Sequence, residues 1–342
     1  MMDERKQKIL NAIIQDYISS AEPVGSRTIA RKYELGVSPA TIRNEMFDLE
    51  MLGYLEQPHT SAGRIPSLKG YRFYVDCLLQ PKQVTEQEKR FVESWFDTKA
   101  KTVDEVFRST AKVLSAITHN VGLVLATQKM SAKFKYMRFL PLDEQRSILI
   151  VVTDDGQIEN SIFMRPEGVT NEDLNMIGEK MNRFLAGLPL SEVNMARIHT
   201  FYKAVVEDSD LYRLAFHSLL SSFKQKQRLY KGGATEIFAN PEFKDVDKAR
   251  DLLFMLEEND TVTNMIQPNA SQDLVIRIGD ENELLPMKDC SVVQATFKSE
   301  DQVLGTLAIV GPTRMEYAKI IGLLEFMQQH IARLLKYYEG KG

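Results

Sequence analysis

Ser38 followed by Pro39 constrains this chain more tightly than any other pair of residues in it. A serine hydroxyl satisfies orphan amides at a helix start, and proline at the first helical position gives up an amide that has no intrahelical partner. A helix from Pro39 to about Leu52 is therefore predicted, with Gly53 ending it. Upstream, Asp3 can cap a first helix whose stripe of Leu10, Ile13, Ile14, Tyr17 and Ile18 recurs at three- and four-residue spacing. Pro23-Val24-Gly25 then breaks the chain, and Ser26 is placed to cap a short second helix over Arg27 to Tyr33. Two short helices around a Gly-containing turn, the second strongly capped, make a helix-turn-helix pattern.

On the Pro39 helix, Ile42, Met46 and Leu49 share one side, while Ala40, Asn44, Phe47 and Met51 lie opposite, flanked by Thr41 and Arg43. The outer side is small and polar at its start, as a helix entering a major groove requires, and Arg43 and Asn44 can make bidentate contacts to base edges. Taken only as far as Leu52, the same pattern fits the solvated face of an ordinary three-helix bundle. The continuation separates the two readings. Tyr54 to Gln57 reads as a short strand, Pro58-His59-Thr60-Ser61-Ala62-Gly63 as a turn-rich tip, and Arg64-Ile65-Pro66 as the return, which together make a wing. Its hydroxyls and single arginine suit phosphate contacts and a cation entering a minor groove, and Gly63 allows close backbone approach or positive φ. His59 can donate to a phosphate or pack on the wing's base. Ser67 caps a further helix whose Lys69 and Arg72 are available to the same backbone.

Charge gives the nucleic-acid reading no help. The 342 residues hold 43 Lys and Arg against 47 Asp and Glu, a net of -4, and the first eighty residues balance at ten of each. Any affinity for phosphates must come from the local placement of cations. Other function classes are excluded more cleanly. The five histidines are scattered without ligand spacing, and no nucleophile or phosphate-loop motif occurs, so no catalytic, cofactor or metal-binding set is expected. Cys77 and Cys290 form neither a disulfide framework nor a metal knuckle and are expected to be buried thiols. No apolar run approaches the roughly 20 residues of a membrane helix, and the first residues lead into an amphipathic segment instead of a signal core, which points to the cytoplasm.

The remaining 260 or so residues, at roughly 150 per domain, leave room for one or two further domains. Two helices are predicted from Thr85 to Thr98 and over Val103 to Ile117; the second packs either on its own sheet or in a dimer coil, the former favoured by strand-like Val121 to Thr127 directly after it. Phe134 to Leu140, Ser147 to Val152 and Gln157 to Arg165 read as an antiparallel meander. Helices follow at about Asn171 to Leu185, Leu190 to Thr200 and Asp208 to Lys224, and a strand from Leu229 to Phe238. Helices at Asp247 to Glu257 and Thr261 to Ile266, strands at Asp273 to Ile278, Val292 to Lys298 and Val303 to Val310, and a helix from Met315 to Tyr338 complete the chain. Tyr230-Lys231-Gly232-Gly233 lacks the strand-loop-helix spacing of a phosphate cradle and reads as a bulge or turn.

The segments Gly25-Ser26-Arg27-Thr28-Ile29-Ala30, Ser38 to Met46 and, above all, Gln57-Pro58-His59-Thr60-Ser61-Ala62-Gly63-Arg64-Ile65-Pro66 closely resemble the bacterial heat-inducible transcription repressor family HrcA. The resemblance implies an α+β multidomain fold: a winged helix-turn-helix over 1–80, a GAF-like antiparallel sheet domain over 84–128 and 225–342, and an inserted α/β dimerising domain over 129–224. It implies a nucleoid-associated homodimer that represses chaperone operons at an inverted-repeat operator in double-stranded DNA and is modulated by the GroE chaperonin. DNA contacts are then expected from Arg27, Ser38, Ala40, Thr41, Arg43, Asn44, Phe47, His59, Thr60, Ser61, Arg64, Lys69 and Arg72. At Phe47 the family pattern has a smaller residue, so that side chain either meets bases or packs inward. A rival class, supported by the neutral N-terminal charge, is an interaction or small-molecule-sensing scaffold whose winged helix binds no DNA.

Overall fold

A computed structural model describes residues 2–59, 62–99, 102–127, 133–154, 156, 158–165, 168–188, 190, 193, 227–269, 272–299 and 302–339. The chain divides into two compact units, one from residues 1–126 with 228–338, the other chiefly from 127–227.

The first unit opens with α1 (Glu4–Ser20), α2 (Ser26–Lys32) and α3 (Pro39–Met51), followed by the two-residue strands β1 (Leu55–Glu56) and β2 (Ile65–Pro66) and by α4 (Leu68–Phe73). Asp3 caps α1 as expected, its carboxylate accepting from the Lys6 amide at 2.8 Å, and Ile9, Leu10, Ile13 and Ile14 of that helix are fully buried. Ser26 differs from expectation. It is the first residue of α2, and the cap position falls on Gly25, which makes no side-chain hydrogen bond. A π-helical turn, Tyr74–Leu78, continues α4 and leaves Cys77 exposed; only Cys290 is a buried thiol, with burial pushing its thiol pKa up to about 12.

Next come α5 (Glu86–Lys99), α6 (Val103–Thr118) and β3 (Val121–Ala126). In the second unit lie β4 (Phe134–Pro141), β5 (Arg146–Thr153), β6 (Ile158–Met164) and α7 (Asn171–Leu185). The first unit resumes with β7 (Arg228–Gly232), α8 (Val246–Glu257), α9 (Asn259–Met265), β8 (Leu274–Ile278), β9 (Cys290–Ser299), β10 (Gln302–Pro312) and α10 (Tyr317–Glu339). Its sheet is wholly antiparallel in the order β7-β3-β10-β9-β8, so strands from either side of the second unit's residues share one sheet.

Both faces of this sheet are covered, which explains why β3 is apolar throughout. Val124, Val293, Phe297, Leu307 and Ile309 join the core made with α6, α10 and the N-terminal helices. Alternate residues Val121, Leu123, Leu125, Val292, Ala308 and Val310 point the other way, onto α8 and α9. α6 packs against its own sheet, the arrangement that the following strand favoured. β7 stops at Gly232, short of the expected Phe238, because Gly233 turns the chain at φ +69° into a 3₁₀ segment, Ala234–Ala239. A Cβ on Gly232 would lie 2.4 Å from the Ala111 carbonyl oxygen, so glycine lets α6 approach the strand. Lys231 is occupied by the C-terminal carbonyls of α8, Leu256 and Glu257, which leaves the Tyr230 to Gly233 run as strand and turn.

In the second unit, β4, β5 and β6 form the expected meander, with α7 on one face burying Phe134, Met137, Phe139, Leu149, Val151, Leu174, Ile177 and Met181. Thr170 and Asp173 form a capping box at the start of α7, and the Asn182 amide both donates to and accepts from the backbone of Met137. The helices expected at 190–200 and 208–224 lie, apart from residues 190 and 193, outside the described residues.

Candidate nucleic-acid interface

The face that can meet DNA is built by the cap of α3. Ser38 Oγ accepts from the Thr41 amide at 3.1 Å and lies 3.0 Å from Thr41 Oγ1, so the first turn starts cleanly at Pro39. Ile42, Met46 and Leu49 are buried against α1 and α2, which rotates Ala40, Arg43, Asn44 and Phe47 outward. Phe47 does not pack inward; it is 55% exposed, and Met51 one turn later is 72% exposed. Arg27 is also exposed, on α2, beside exposed Arg31, which sequence reasoning passed over.

Pairing of charges within the neutral domain leaves three arginines of α2 and α3 without a carboxylate partner. On α3, Glu45 binds Lys6 at 2.7 Å and Arg5 at 3.5 Å, Asp48 binds Lys6 at 3.1 Å, and Glu50 binds Arg64 at 2.7 Å. Glu45 first, and then Asp48, hold the Lys6 ammonium well above the usual lysine range. Buried Asp16 of α1 takes Lys32 at 2.5 Å and raises its pKa, while Glu4 pairs with Lys8 and Asp76 with Arg72. Among the described residues Arg27, Arg31 and Arg43 enter no ion pair. Three of the cations outside ion pairs therefore sit on α2 and α3, with Lys69 on α4, and of the described acids Glu22, Glu34 and Glu56 likewise enter no ion pair. Net charge could not reveal this sorting, because nothing in the linear order matches each acid to its base.

The wing is held at both ends. Leu55 pairs with Pro66 and Glu56 with Ile65, the Gln57 side-chain amide donates to the Ala62 carbonyl at 3.1 Å, and the Ala62 amide donates to the His59 carbonyl at 2.8 Å. Val24, in the α1–α2 turn, exchanges both backbone bonds with Arg64, each 2.9 Å. Gly63 is needed for close approach and not for positive φ: a Cβ there would lie 2.4 Å from the Val24 carbonyl oxygen. His59 is exposed at the tip, and the expected contacts Thr60 and Ser61 lie outside the described residues.

Three expected contact residues are engaged within the protein. Arg64 is bound to Glu50 with its side chain 16% exposed. Lys69 donates to the Leu52 carbonyl at 2.8 Å, with its ammonium 4.5 Å from the Tyr54 ring centroid, while Ser67 Oγ donates to the Gly53 carbonyl at 2.7 Å; together they satisfy the carbonyls of the turn that follows α3. Arg72 donates from Nε and Nη2 to the Glu281 carboxylate, from Nη2 to the Ile276 carbonyl at 2.8 Å and from Nη1 to Asp76 at 3.0 Å. A second guanidinium joins the same parts of the unit: Arg314 donates to the Ile18 carbonyl and to Glu242, both at 2.6 Å. Neither Glu281 nor Arg314 carries a local sequence signal. Among the described residues no group of His, Cys, Asp and Glu could hold a metal ion, and no helix is long and apolar enough to cross a membrane.

A capped helix presenting Arg43 and Asn44, braced by two helices and a stitched wing, defines a winged helix-turn-helix DNA-binding protein. Residues 1–75 match the family model described as the winged helix-turn-helix transcription repressor, HrcA DNA-binding, and residues 104–321 match the HrcA protein C-terminal domain. Proteins named heat-inducible transcription repressor HrcA from Symbiobacterium thermophilum and Desulfitobacterium hafniense are 42% and 41% identical, each over 98% of this chain, with 99% and 98% of their own lengths covered. One from Brevibacillus brevis is 40% identical, with 98% of each chain covered. A crystal structure titled only as a hypothetical protein has a TM-score of 0.63 at 21% identity, covering 99% of this chain and all of that one; this likeness concerns the fold alone. The chain belongs to the HrcA family of heat-inducible transcription repressors, and it is a repressor and not an enzyme.

Proposed function

We propose that the chain acts as a cytoplasmic, nucleoid-associated homodimer whose two α3 helices enter successive major grooves of an inverted repeat ahead of chaperone genes. Two-fold symmetry in the protein calls for two-fold symmetry in the operator. The observation that carries this reading is the outward face of α3, where Arg43 and Asn44 stand exposed while every acid on that helix is paired toward α1 or the wing. Arg43 and Asn44 read base edges, Ala40 and Phe47 offer apolar contact, and Ser38, Thr41, Arg27, His59, Thr60 and Ser61 meet the flanking backbone. Lys69 and Arg72 act from within, the first by holding the turn after α3 and the second by holding α4 against β8. The five-stranded sheet, with its helices on both faces, serves as the GAF-like regulatory domain (84–128 and 225–342), and the meander unit as the inserted dimerising domain (129–224). Family likeness further supports modulation by the GroE chaperonin. Selection of the full chain's preferred sites from a pool of random duplexes tests the reading. An enriched inverted repeat supports it; a pool that enriches no repeat at low salt, with chaperonin present, favours a protein-docking role instead.

A further inference from the structure

Glu50 places a carboxylate near the end of the helix proposed to read DNA, where electrostatics alone would disfavour it. Its side chain is 26% exposed and meets Arg64, 16% exposed, at 2.7 Å. Arg64 is also the residue whose amide and carbonyl both bond Val24, and it precedes β2, which pairs with β1. One residue thus joins the α1–α2 turn through its backbone and α3 through its side chain, at the root of the wing. Glycine before it lets the chain pass against Val24, and the Ser67 and Lys69 bonds to Gly53 and Leu52 hold the far end of the returning limb. The Glu50 bond adds a side-chain tie from the root of the limb to α3 itself. We propose that Glu50 and Arg64 form a strut that sets the angle of the wing against the recognition helix, so that Arg64 is a positioning residue and not a phosphate ligand.

The proposal rests on the DNA reading of α3, and the two can fail separately. Its sharpest consequence is one of sign. Removing an acid from a DNA-facing domain should strengthen binding if only charge matters, whereas Glu50→Gln should weaken binding to the selected repeat if the strut matters. The test measures affinity of the full-length wild type, E50Q, R64Q and the charge-exchanged double variant E50R/R64E for the repeat and for random duplex over a salt series, alongside amide exchange at Arg64. The expected result is that E50Q and R64Q each lose about fivefold on the repeat, a coupling of ordinary size for neighbouring residues, and that the exchanged pair recovers most of it. The salt slope of R64Q stays that of wild type, and the Arg64 amide exchanges faster in E50Q while amides in the middle of α3 do not. That last readout separates a loosened wing from a failed fold. If E50Q binds the repeat as tightly as wild type or more so, and R64Q alone loses affinity with its slope falling by about 0.9, Arg64 is a phosphate ligand and the strut is overturned. Wild type that cannot tell the repeat from random duplex overturns the DNA reading, and the strut with it.

Discussion

Phe47 stands more than half exposed in the middle of a helix whose buried side already holds Ile42, Met46 and Leu49. Fully burying such a side chain is worth about 1.5 to 3 kcal/mol, so leaving it in water is a cost the isolated chain bears without return. In the proposed complex the cost is recovered against thymine, whose 5-methyl group is the apolar feature of the major groove. Replacing each thymine of the selected repeat in turn by deoxyuridine should reveal one position per half-site where wild type loses roughly fourfold, the worth of one buried methyl at about 0.8 kcal/mol. Phe47→Ala should make that position indifferent to the methyl. Equal sensitivity in both proteins would remove Phe47 from the base-reading set. Residue identities on α3 were legible in sequence because helical spacing alone decides which side chains share a face. Their charge state was not, because Glu45 is silenced by Lys6 and Arg5, some forty positions earlier.

At the level of elements, the parts specified by their own neighbours were readable and the contacts between distant parts were not. The caps of Asp3, Ser38 and Ser67 are decided within three residues, and each occurs as a side-chain bond to a backbone amide. Ser26 failed as a cap because Gly25 already has the extended backbone that the position requires. Docking of α4 on β8 depends on Arg72 and Glu281, 209 positions apart, for which no periodicity or motif gives warning. Burial would by itself raise the Glu281 carboxyl, but the Arg72 guanidinium and then the Ile278 amide outweigh it and hold its pKa below the ordinary 4.5. A carboxylate whose pKa is depressed on folding contributes stability that is complete above its unfolded value and lost as pH falls through its folded one. Wild type should therefore melt higher than Glu281→Gln at pH above the ordinary carboxyl range, with the gap closing as pH falls below that range and through the lowered folded-state pKa. A gap that stays constant across that range would show that the pair does not hold the two elements.

Across the whole molecule, the order of the strands shows how a long chain can carry one sheet interrupted by a second unit. β3 and β7 are adjacent in the sheet although about a hundred residues separate them, and described residues of the first unit line both packing faces. In the sequence this pairing had no local signal of its own, and the strand expected to run to Phe238 ends at Gly232. The second unit covers one face of its meander with α7 and leaves Tyr136, Ile158, Ile162 and Met164 exposed in the single chain. Repression from an inverted repeat needs two copies held with their α3 helices in step, and this places the central claim at the DNA. Hydroxyl-radical footprinting of the full-length protein on the selected repeat, in parallel for wild type and Arg43→Ala, tests it most directly. The account predicts two protected patches, their centres separated by a whole number of turns of roughly 34 Å, with Arg43→Ala losing about 1 to 3 kcal/mol on the repeat and much less on random duplex. A single unsymmetrical patch, or equal losses on repeat and random DNA, would contradict it.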